Sequence, residues 1–179
     1  MRRTVLSIQD RLFLNKLRYF LAEIGTVPPA QWEEMIGQIS ASQEFEMKVG
    51  EKLLYIIDRC QDHSNSQKIG KIFRAFLEGT ISYNDFLRLA FCIERLMPDD
   101  LNEFLSWDRR NGVAAFEATN LIGTGLVFFD EAEIRIEDRG EDRPWQMNDR
   151  FKVKNGTQTV SESDLGGMLR DILRPPPSS

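Results

Sequence analysis

Residues 66–97 read SQKIGKIFRAFLEGTISYNDFLRLAFCIERLM, and the pattern of this stretch decides the predicted fold of the whole chain. Apolar residues recur every three or four positions in each half, as they do along one face of an α-helix. In the first half they are Ile69, Ile72, Phe73, Phe76 and Leu77. In the second half they are Phe86, Leu89, Ala90, Ile93 and Met97. The stretch therefore predicts two amphipathic helices, packed as a hairpin, with Phe73 and Phe86 buried.

A short turn separates these two helices. Gly79 can adopt the left-handed backbone conformation that commonly ends a helix. Ser82 can cap the next helix, and Asp85 stands three residues later, which is the capping-box arrangement. Because local propensity, turn residues and apolar pattern agree, the stretch is typical of a structural centre and not of an active site.

Composition and charge limit the classes of function. The 179 residues are 41% hydrophobic and 28% charged, which is ordinary for a globular protein with one core or one core and a small appendage. The formal net charge is −5. This charge argues against a nucleic-acid binder that works by neutralising phosphates.

The cysteines and the N-terminus bear on where the protein works. Cys60 and Cys92 fall in separate predicted helices and do not form a disulfide framework, so we expect core thiols in a reducing cytosol. Gln9, Asp10 and Arg11 interrupt the first apolar run, whereas a signal peptide needs about 7–15 uninterrupted apolar residues. No run approaches the roughly 20 apolar residues of a membrane span. We therefore expect a cytoplasmic protein without a membrane segment.

The same periodicity predicts four more helices around the hairpin. The first runs from about residue 7 to residue 24 and turns Leu21 inward with its other apolar residues. The third helix ends near Asp62, and the polar residues 63–66 are predicted to be a loop. The sixth helix begins at Pro98, a position where the missing amide of proline costs little.

After Asn111 the pattern changes. Residues 113–122 are predicted to be one more short helix. Three stretches of alternating or β-rich sequence then predict short antiparallel strands. They are residues 125–129, 133–137 and 150–154. A terminal helix follows, with Ser161 as its cap and Asp164 at the third position.

The predicted fold class is therefore mainly α. Residues 1–110 are predicted to form a helical bundle of about six helices. Residues 111–174 are predicted to form a small α+β, winged-helix-like appendage with three short antiparallel strands. Residues 175–179, which contain three prolines, are predicted to be a disordered tail.

Three segments carry a resemblance to known proteins. They are FRAFLEGTISYNDFLRLAFCIERLMPDDLNEFLS, ATNLIGTGLVFF and the closing SDLGGMLRDIL. Together they resemble uncharacterised bacterial proteins in which a helical domain precedes a degenerate winged-helix-like C-terminal segment. The hairpin carries the closer match, whereas the insertion at residues 130–149 and the ending Asp164-Leu165-Gly166 depart from the group's pattern. The resemblance implies this fold and brings no established activity.

A calcium loop is the most tempting metal motif, and its residues argue against it. Gly79, Ile81 and Asp85 fit the sixth, eighth and twelfth positions of an EF-hand. The first and third positions would then be Arg74 and Phe76, and neither supplies the side-chain oxygen that calcium requires. The helical hairpin is the better interpretation.

Zinc binding and catalysis also lack complete sets of residues. Cys60 and His63 have the spacing of half a zinc site, but a structural site needs four ligands and the sequence has no second Cys/His pair. Because His63 is the only histidine, any histidine-based acid–base or triad chemistry has to use it. We therefore predict no catalytic, cofactor-binding or metal-binding residues, and no enzyme.

A DNA-binding regulator is the alternative function. A winged helix would place residues 113–122 in the major groove, but VAAFEATNLI contains no Lys or Arg. From residue 109 to residue 154, nine acidic residues oppose eight basic ones. If the region reads DNA, Arg135, Arg150 and Lys152 should dominate the affinity, which should fall steeply with salt. Nucleic acid is therefore an improbable partner.

The segment between the last two predicted strands provides the preferred function. It is long for a hairpin connection, since most have about 2–5 residues. It contains Arg143, Trp145 and Met147, which belong to the residue types enriched at protein interfaces. The alternative is that Trp145 packs back over Ile134 or Phe151. We predict a non-enzymatic cytoplasmic regulatory or adaptor module that binds another protein through these three residues.

Overall fold

The computed structural model describes residues 7–40, 43–107, 113–115, 117–130, 134–138, 151–155 and 158–174. Helices predominate in this part of the chain. They are α1 (Ile8–Ile24), α2 (Pro29–Ser40), α3 (Gln43–Arg59), α4 (His63–Leu77), α5 (Tyr83–Arg95), α6 (Pro98–Ser106) and α7 (Asp164–Leu173). No described helix is both long enough and apolar enough to cross a membrane.

Short strands separate α6 from α7. They are β1 (Val113–Ala114), β2 (Val127–Phe129), β3 (Ile134–Asp138), β4 (Phe151–Asn155) and β5 (Thr159–Glu162). β5 is the central strand of a three-stranded antiparallel sheet in the order β1-β5-β2. Among the residues that the structure describes, β3 and β4 form a separate antiparallel pair in which Asp138 lies opposite Phe151.

The hairpin of α4 and α5 forms as its sequence predicts. Gly79 has a φ of 70°, which is the left-handed conformation expected at the end of α4. The Ser82 hydroxyl accepts a hydrogen bond from the Asp85 amide at 3.1 Å, and the Asp85 carboxylate accepts one from the Ser82 amide at 3.3 Å. The predicted capping box is therefore confirmed.

Aromatic rings fill the space between α4 and α5. Phe86 is completely buried and Phe73 is 4% exposed, as predicted, and their ring centroids lie 5.2 Å apart in an edge-to-face arrangement. Phe20 of α1 contacts Phe73 from the other side at 5.8 Å. The α4 helix of the hairpin therefore provides the main surface on which α1 packs.

One cluster of buried side chains extends from this hairpin to the C-terminal helix. It includes Phe104 of α6, Leu126 before β2, Val160 of β5 and Leu169 of α7. Since α7 also packs against α4 and α5, the strands and α7 complete the core that the preceding helices begin. The predicted division of the chain at residue 110 stays a prediction.

A buried arginine holds α7 in place. Arg170 is 1% exposed, and its Nε lies 2.6 Å from Oε1 of Glu162. Its Nη1 donates hydrogen bonds to the carbonyl oxygens of Leu105 at 2.7 Å and Trp107 at 3.2 Å. Its guanidinium carbon lies 4.6 Å from the ring centroid of Phe104. This one side chain thus joins α7, β5 and the C-terminal end of α6.

Two predicted features of the helices are wrong. Residues 63–66 are not a loop but the first turn of α4, because the Asp62 side chain caps that helix by accepting a hydrogen bond from the Asn65 amide at 2.8 Å. Met97 is exposed, and Leu96 is buried in its place. The reason is that α5 ends at Arg95 and Leu96 is extended, so the helical phase no longer reaches Met97.

One inward position of α1 is also wrong. α1 begins after Ser7 and ends at Gly25, as predicted. Phe20 and Ile24 are buried on its inner face, but Leu21 is about half exposed. It therefore lies at the margin of the apolar stripe that Phe20 and Ile24 form.

The C-terminal region differs more from its prediction. Residues 113–122 do not form a helix, since Val113 and Ala114 form β1 and residues 117–125 form turns. The predicted strand at 125–129 corresponds to β2, which pairs with β5, a strand that was not predicted. Ser161 belongs to β5 opposite Phe128, and Ser163 is the residue that caps α7.

A glycine in α7 permits its close approach to the strands. A methyl group on Gly166 would overlap the carbonyl oxygen of Leu126 and lie 3.0 Å from the Phe104 ring, whereas one on the next residue, Gly167, would meet nothing within 4 Å. We expect Gly166→Ala to lower the free energy of unfolding by about 1–3 kcal/mol through overpacking.

Gly167→Ala is the matched control for this prediction. It should raise the free energy of unfolding by about 0.5–1 kcal/mol, because alanine is the better helix former. Urea denaturation of both variants measures the difference. Equal stability of the two variants would show that α7 does not pack this closely on Leu126.

Candidate partner-binding site

The predicted partner-binding residues Arg143, Trp145 and Met147 lie outside the described residues. In the alternative interpretation Trp145 packs over Ile134 or Phe151. The structure does not describe these three side chains either. Both interpretations of the segment between β3 and β4 stay predictions.

A different apolar surface is visible on β2. Phe128 is 52% exposed, Phe129 is 49% exposed and Ile122 is 37% exposed, while Val127 is half-buried between them. We call Ile122, Val127, Phe128 and Phe129 the β2 edge surface. Burial of apolar area stabilises a protein by about 25 cal/mol per Å². Two adjacent phenylalanines that stay half exposed in water give up part of this stabilisation.

Buried residues on either side hold this surface in position. Leu121 and Leu126 lie in the core at the two ends of a turn that contains Gly123 and Gly125. The Thr124 hydroxyl donates a hydrogen bond to the Leu121 carbonyl oxygen at 2.6 Å. The turn is therefore fixed to the core, and the fold itself keeps Ile122 and Phe128 exposed.

The β2 edge surface surrounds an open groove of about 330 Å³. The groove is lined by Ile122, Gly123, Gly125, Val127, Phe128, Phe129 and Val160, none of which is charged. The charge nearest in sequence is Asp130, whose Oδ2 accepts a hydrogen bond from the Thr159 hydroxyl at 2.6 Å. This hydrogen bond, with a second from Ser161, lowers the pKa of the Asp130 carboxyl, which therefore stays ionised. The site combines an apolar groove with one acidic end.

The backbone of β2 offers hydrogen-bonding groups on its outer side. The Leu126 carbonyl accepts from the Ser163 amide at 2.9 Å, and the Asp130 amide donates to the Thr159 carbonyl at 2.9 Å. In an antiparallel pair such groups alternate along the strand, so the N–H and C=O of Val127 and Phe129 point away from β5. Within the described residues, no other strand pairs with that edge.

A second groove, of about 540 Å³, lies between α7 and the α4–α5 turn. Its acidic residues are Glu162, Asp164 and Asp171, and Ile81 and Met168 form part of its apolar wall. Glu162 already binds Arg170. Across the described ranges, no group of three or more His, Cys, Asp or Glu side chains is placed to hold a metal ion.

The residues of the calcium-loop motif have structural contacts. The Arg74 guanidinium lies 3.6 Å from the Glu78 carboxylate and 3.7 Å from that of Glu23. Phe76 is buried in the core, and Asp85 caps α5. The hairpin and its packing against α1 account for these contacts.

The residues of the zinc motif are also separately engaged. The Cys60 thiol is buried and donates to the Ile56 carbonyl oxygen at 3.4 Å. The His63 ring packs against the Tyr19 ring, with 4.7 Å between ring centroids and 32° between ring planes. Cys92, the other cysteine, is completely buried and donates to the Thr124 carbonyl oxygen at 3.0 Å.

Both thiols are expected to resist a thiol reagent such as DTNB in the native protein at pH 8. Burial raises the pKa of Cys60 and of Cys92 from 9.0 to about 11, and the thiolate is the reactive form. Unfolding in guanidinium should expose both to rapid reaction. Rapid stoichiometric reaction of the native protein would contradict the prediction.

The same shifts predict how stability depends on pH. A folded pKa above the unfolded value means that the folded protein binds more protons between pH 9 and 11. The stabilisation that the protonated thiols give the folded state is therefore complete below pH 9, and it is lost as the pH rises toward 11. Cys60→Ala and Cys92→Ala should each reduce this alkaline loss of stability, measured by urea denaturation.

The sequence contains a signal for the β2 edge surface. Successive residues of a strand point to opposite faces, so Phe128 and Phe129 can both be buried only if both faces of β2 are covered. If one face of β2 is open to solvent, this alternation indicates that one of the two phenylalanines is exposed. It does not show that both are half exposed.

Comparisons with protein-family models, with curated proteins and with solved structures find no match to this chain. The site is therefore interpreted from its own geometry.

Proposed function

We propose that this chain is a non-enzymatic protein-binding module, with a regulatory or adaptor role, and that its partner docks on the β2 edge surface. The observation that carries the proposal is the pair of half-exposed phenylalanines, Phe128 and Phe129, on a strand whose turn is fixed to the core. Contiguous exposed apolar surfaces are a known mark of interaction sites.

Three features support a protein as the ligand. Aromatic side chains dominate the energetics of protein interfaces. The groove is partly open to solvent, whereas small-molecule sites enclose most of their ligand. The backbone groups of Val127 and Phe129 match the hydrogen-bonding pattern of another chain. Arg143, Trp145 and Met147 stay in the proposal as a second contact region.

The finer structural expectations belong to the same proposal. We propose that residues 1–110 act as a helical bundle and that residues 111–174 form a winged-helix-like appendage on it. A cytoplasmic location is supported by the two cysteines, Cys60 and Cys92, which are both free thiols.

The DNA-binding alternative has less support. It requires a helix at residues 113–122 that enters the DNA major groove, whereas the described residues of this segment form a strand and turns. A mobility-shift assay with duplex DNA at low salt tests this alternative. Tight, salt-sensitive binding that Arg135→Ala and Lys152→Ala weaken would favour it over protein binding.

We expect the variant Phe128→Ser with Phe129→Ser to lose its partner. The test is affinity capture from the native host with quantitative mass spectrometry, followed by binding of the purified partner. The double variant should weaken binding at least about tenfold, which corresponds to about 1.4 kcal/mol. Trp145→Ala tests the second contact region in the same experiment.

Phe91→Ser is the matched control for surface apolarity. Phe91 is 48% exposed on α5, so this variant removes a comparable side chain elsewhere. It should retain the partner, and all variants should melt within a few degrees of the wild type. If every captured protein binds the double variant and Trp145→Ala as well as it binds the wild type, the proposed function is wrong.

A further inference from the structure

We infer that the partner binds as an antiparallel β-strand on the outer edge of β2, through a segment consisting of one basic residue followed by three apolar residues. This inference rests on the proposed function, because it specifies the binding mode and the chemistry of the partner. It follows from the backbone geometry of β2, the faces of its side chains and the charge of Asp130.

The backbone geometry favours an extended peptide. The outward N–H and C=O groups of Val127 and Phe129 are two residues apart, at the spacing of an antiparallel ladder. A helix cannot bond to them, because its own N–H and C=O groups are paired internally. An added antiparallel strand bonds to both residues, with one of its own residues opposite Val127 and another opposite Phe129.

Side-chain alternation then assigns a preferred residue type to each position of that strand. Phe128 and Asp130 point to the same face of the sheet, where Asp130 also meets Thr159. Phe129 points to the opposite face, beside Val160 in the apolar groove. A partner therefore needs an apolar residue beside Phe128 and, two positions away on the same face, a residue that suits Asp130.

The charge of Asp130 selects a basic residue at that position. Its carboxylate is ionised, and no residue that lines the groove is charged. Opposite charges on neighbouring strands stabilise the pairing, whereas like charges destabilise it. Because an antiparallel partner runs in the reverse direction, its basic residue comes first and lies opposite Asp130. Apolar residues follow, opposite Phe129, Phe128 and Val127.

A second copy of this chain fits less well. If β2 paired with β2 of another copy through the outward groups, Val127 of one would lie opposite Phe129 of the other. Asp130 would then face Leu126 and would have no counter-charge. Each copy also carries a net charge of −5, so the two would repel each other. The geometry therefore favours a different protein with a basic strand.

The test uses a capped, fluorescein-labelled peptide, Ser-Gly-Lys-Val-Tyr-Val-Thr-Gly-Ser, and measures its binding by fluorescence anisotropy at low salt. Its Lys should lie opposite Asp130, and its Tyr opposite Phe128. N-methylation of both Val residues, whose amides would point at β2, should weaken binding at least about tenfold. N-methylation of the Tyr, whose amide would point away, should change it less than about twofold.

The charge pairing has its own control. Asp130→Lys should weaken binding of the Lys peptide and should strengthen binding of the same peptide with Glu in place of Lys. Asp130→Asn keeps an oxygen that accepts from Thr159, so it separates the loss of charge from the loss of that hydrogen bond. Each variant is first shown to have the wild-type melting temperature.

The outcomes separate this inference from the proposed function. No binding at millimolar peptide, or equal loss with both N-methylation patterns, would overturn strand addition. If affinity capture still finds a partner whose binding depends on Phe128 and Phe129, the proposed function holds and only strand addition is wrong. Analytical ultracentrifugation tests for dimers of this chain. A dimer that forms in the wild type and is lost in Phe128→Ser would overturn the basic-strand inference in favour of a second copy.

Discussion

Arg170→Ala is expected to lower the free energy of unfolding by about 3–5 kcal/mol, because it removes the buried cation that forms an ion pair with the partly buried Glu162 carboxylate. The Trp107 carbonyl oxygen would lose the hydrogen bond from Arg170, and the Leu105 carbonyl oxygen would keep only the one from Arg174. Urea denaturation measures the change. In a chain of this size each kcal/mol also lowers the melting temperature by roughly 2–4 °C.

Arg174→Ala is the control for this prediction. Arg174 is an exposed residue that also donates to the Leu105 carbonyl oxygen, at 2.8 Å. Since its charge stays in water, the variant should cost less than about 1 kcal/mol. If Arg170→Ala proves as mild as Arg174→Ala, the buried arginine does not hold α7 to the end of α6.

Phe86→Ala and Phe73→Ala are each expected to cost about 3–5 kcal/mol, because a large ring is removed from a close-packed site. Phe86 is completely buried and contacts Phe73 and Tyr83, at centroid distances of 5.2 Å and 6.0 Å. Neither site is at the surface, so the cavity cannot fill with solvent cheaply. Chemical denaturation of the two variants, with the slope compared to wild type, measures the loss.

Phe91→Ala provides the comparison on the same helix. Phe91 is half exposed, with the Arg95 guanidinium 4.9 Å from its ring centroid. Its removal should cost less than about 1 kcal/mol, since little buried area is lost. Melting curves of Phe86→Ala and Phe73→Ala that match the wild type would contradict the central role of the hairpin.

The parts of the fold that were predictable are those where local and tertiary forces agree. In the α4–α5 hairpin, Gly79, Ser82 and Asp85 specify the turn through contacts three residues apart or less. The apolar stripe independently selects the same two helices. A local signal of this kind needs no knowledge of the rest of the chain, so the sequence shows it directly.

The parts that were missed depend on distant contacts. Ser161 and Ser163 are both reasonable caps for α7, and pairing of β5 with β2 decides between them by placing Ser161 in the sheet. Residues 113–122 have an apolar composition that suits a helix. The pairing of Val113 with Val160 fixes a strand at the start of that segment instead. Strand register over such separations is set by the assembled core and not by spacing.

The candidate site was only partly predictable for the same reason. Arg143, Trp145 and Met147 were chosen by residue type, and they lie outside the described structure. Phe128 and Phe129 were assigned to a strand correctly, but their exposure depends on which side of β5 that strand occupies. No periodicity in the sequence gives the order of strands in a sheet.

The position of Asp130 has a consequence for aggregation. Leu126-Val127-Phe128-Phe129 is a short uncharged run of high β-propensity, which is the composition of segments that stack into amyloid-like sheets. In a parallel, in-register stack the Asp130 carboxylates of successive chains would lie about 4.8 Å apart. Each such pair would cost about 1 kcal/mol even in water, and the cost would recur at every layer. The carboxylate that we propose selects a basic partner is therefore expected also to keep the apolar edge from joining copies of itself.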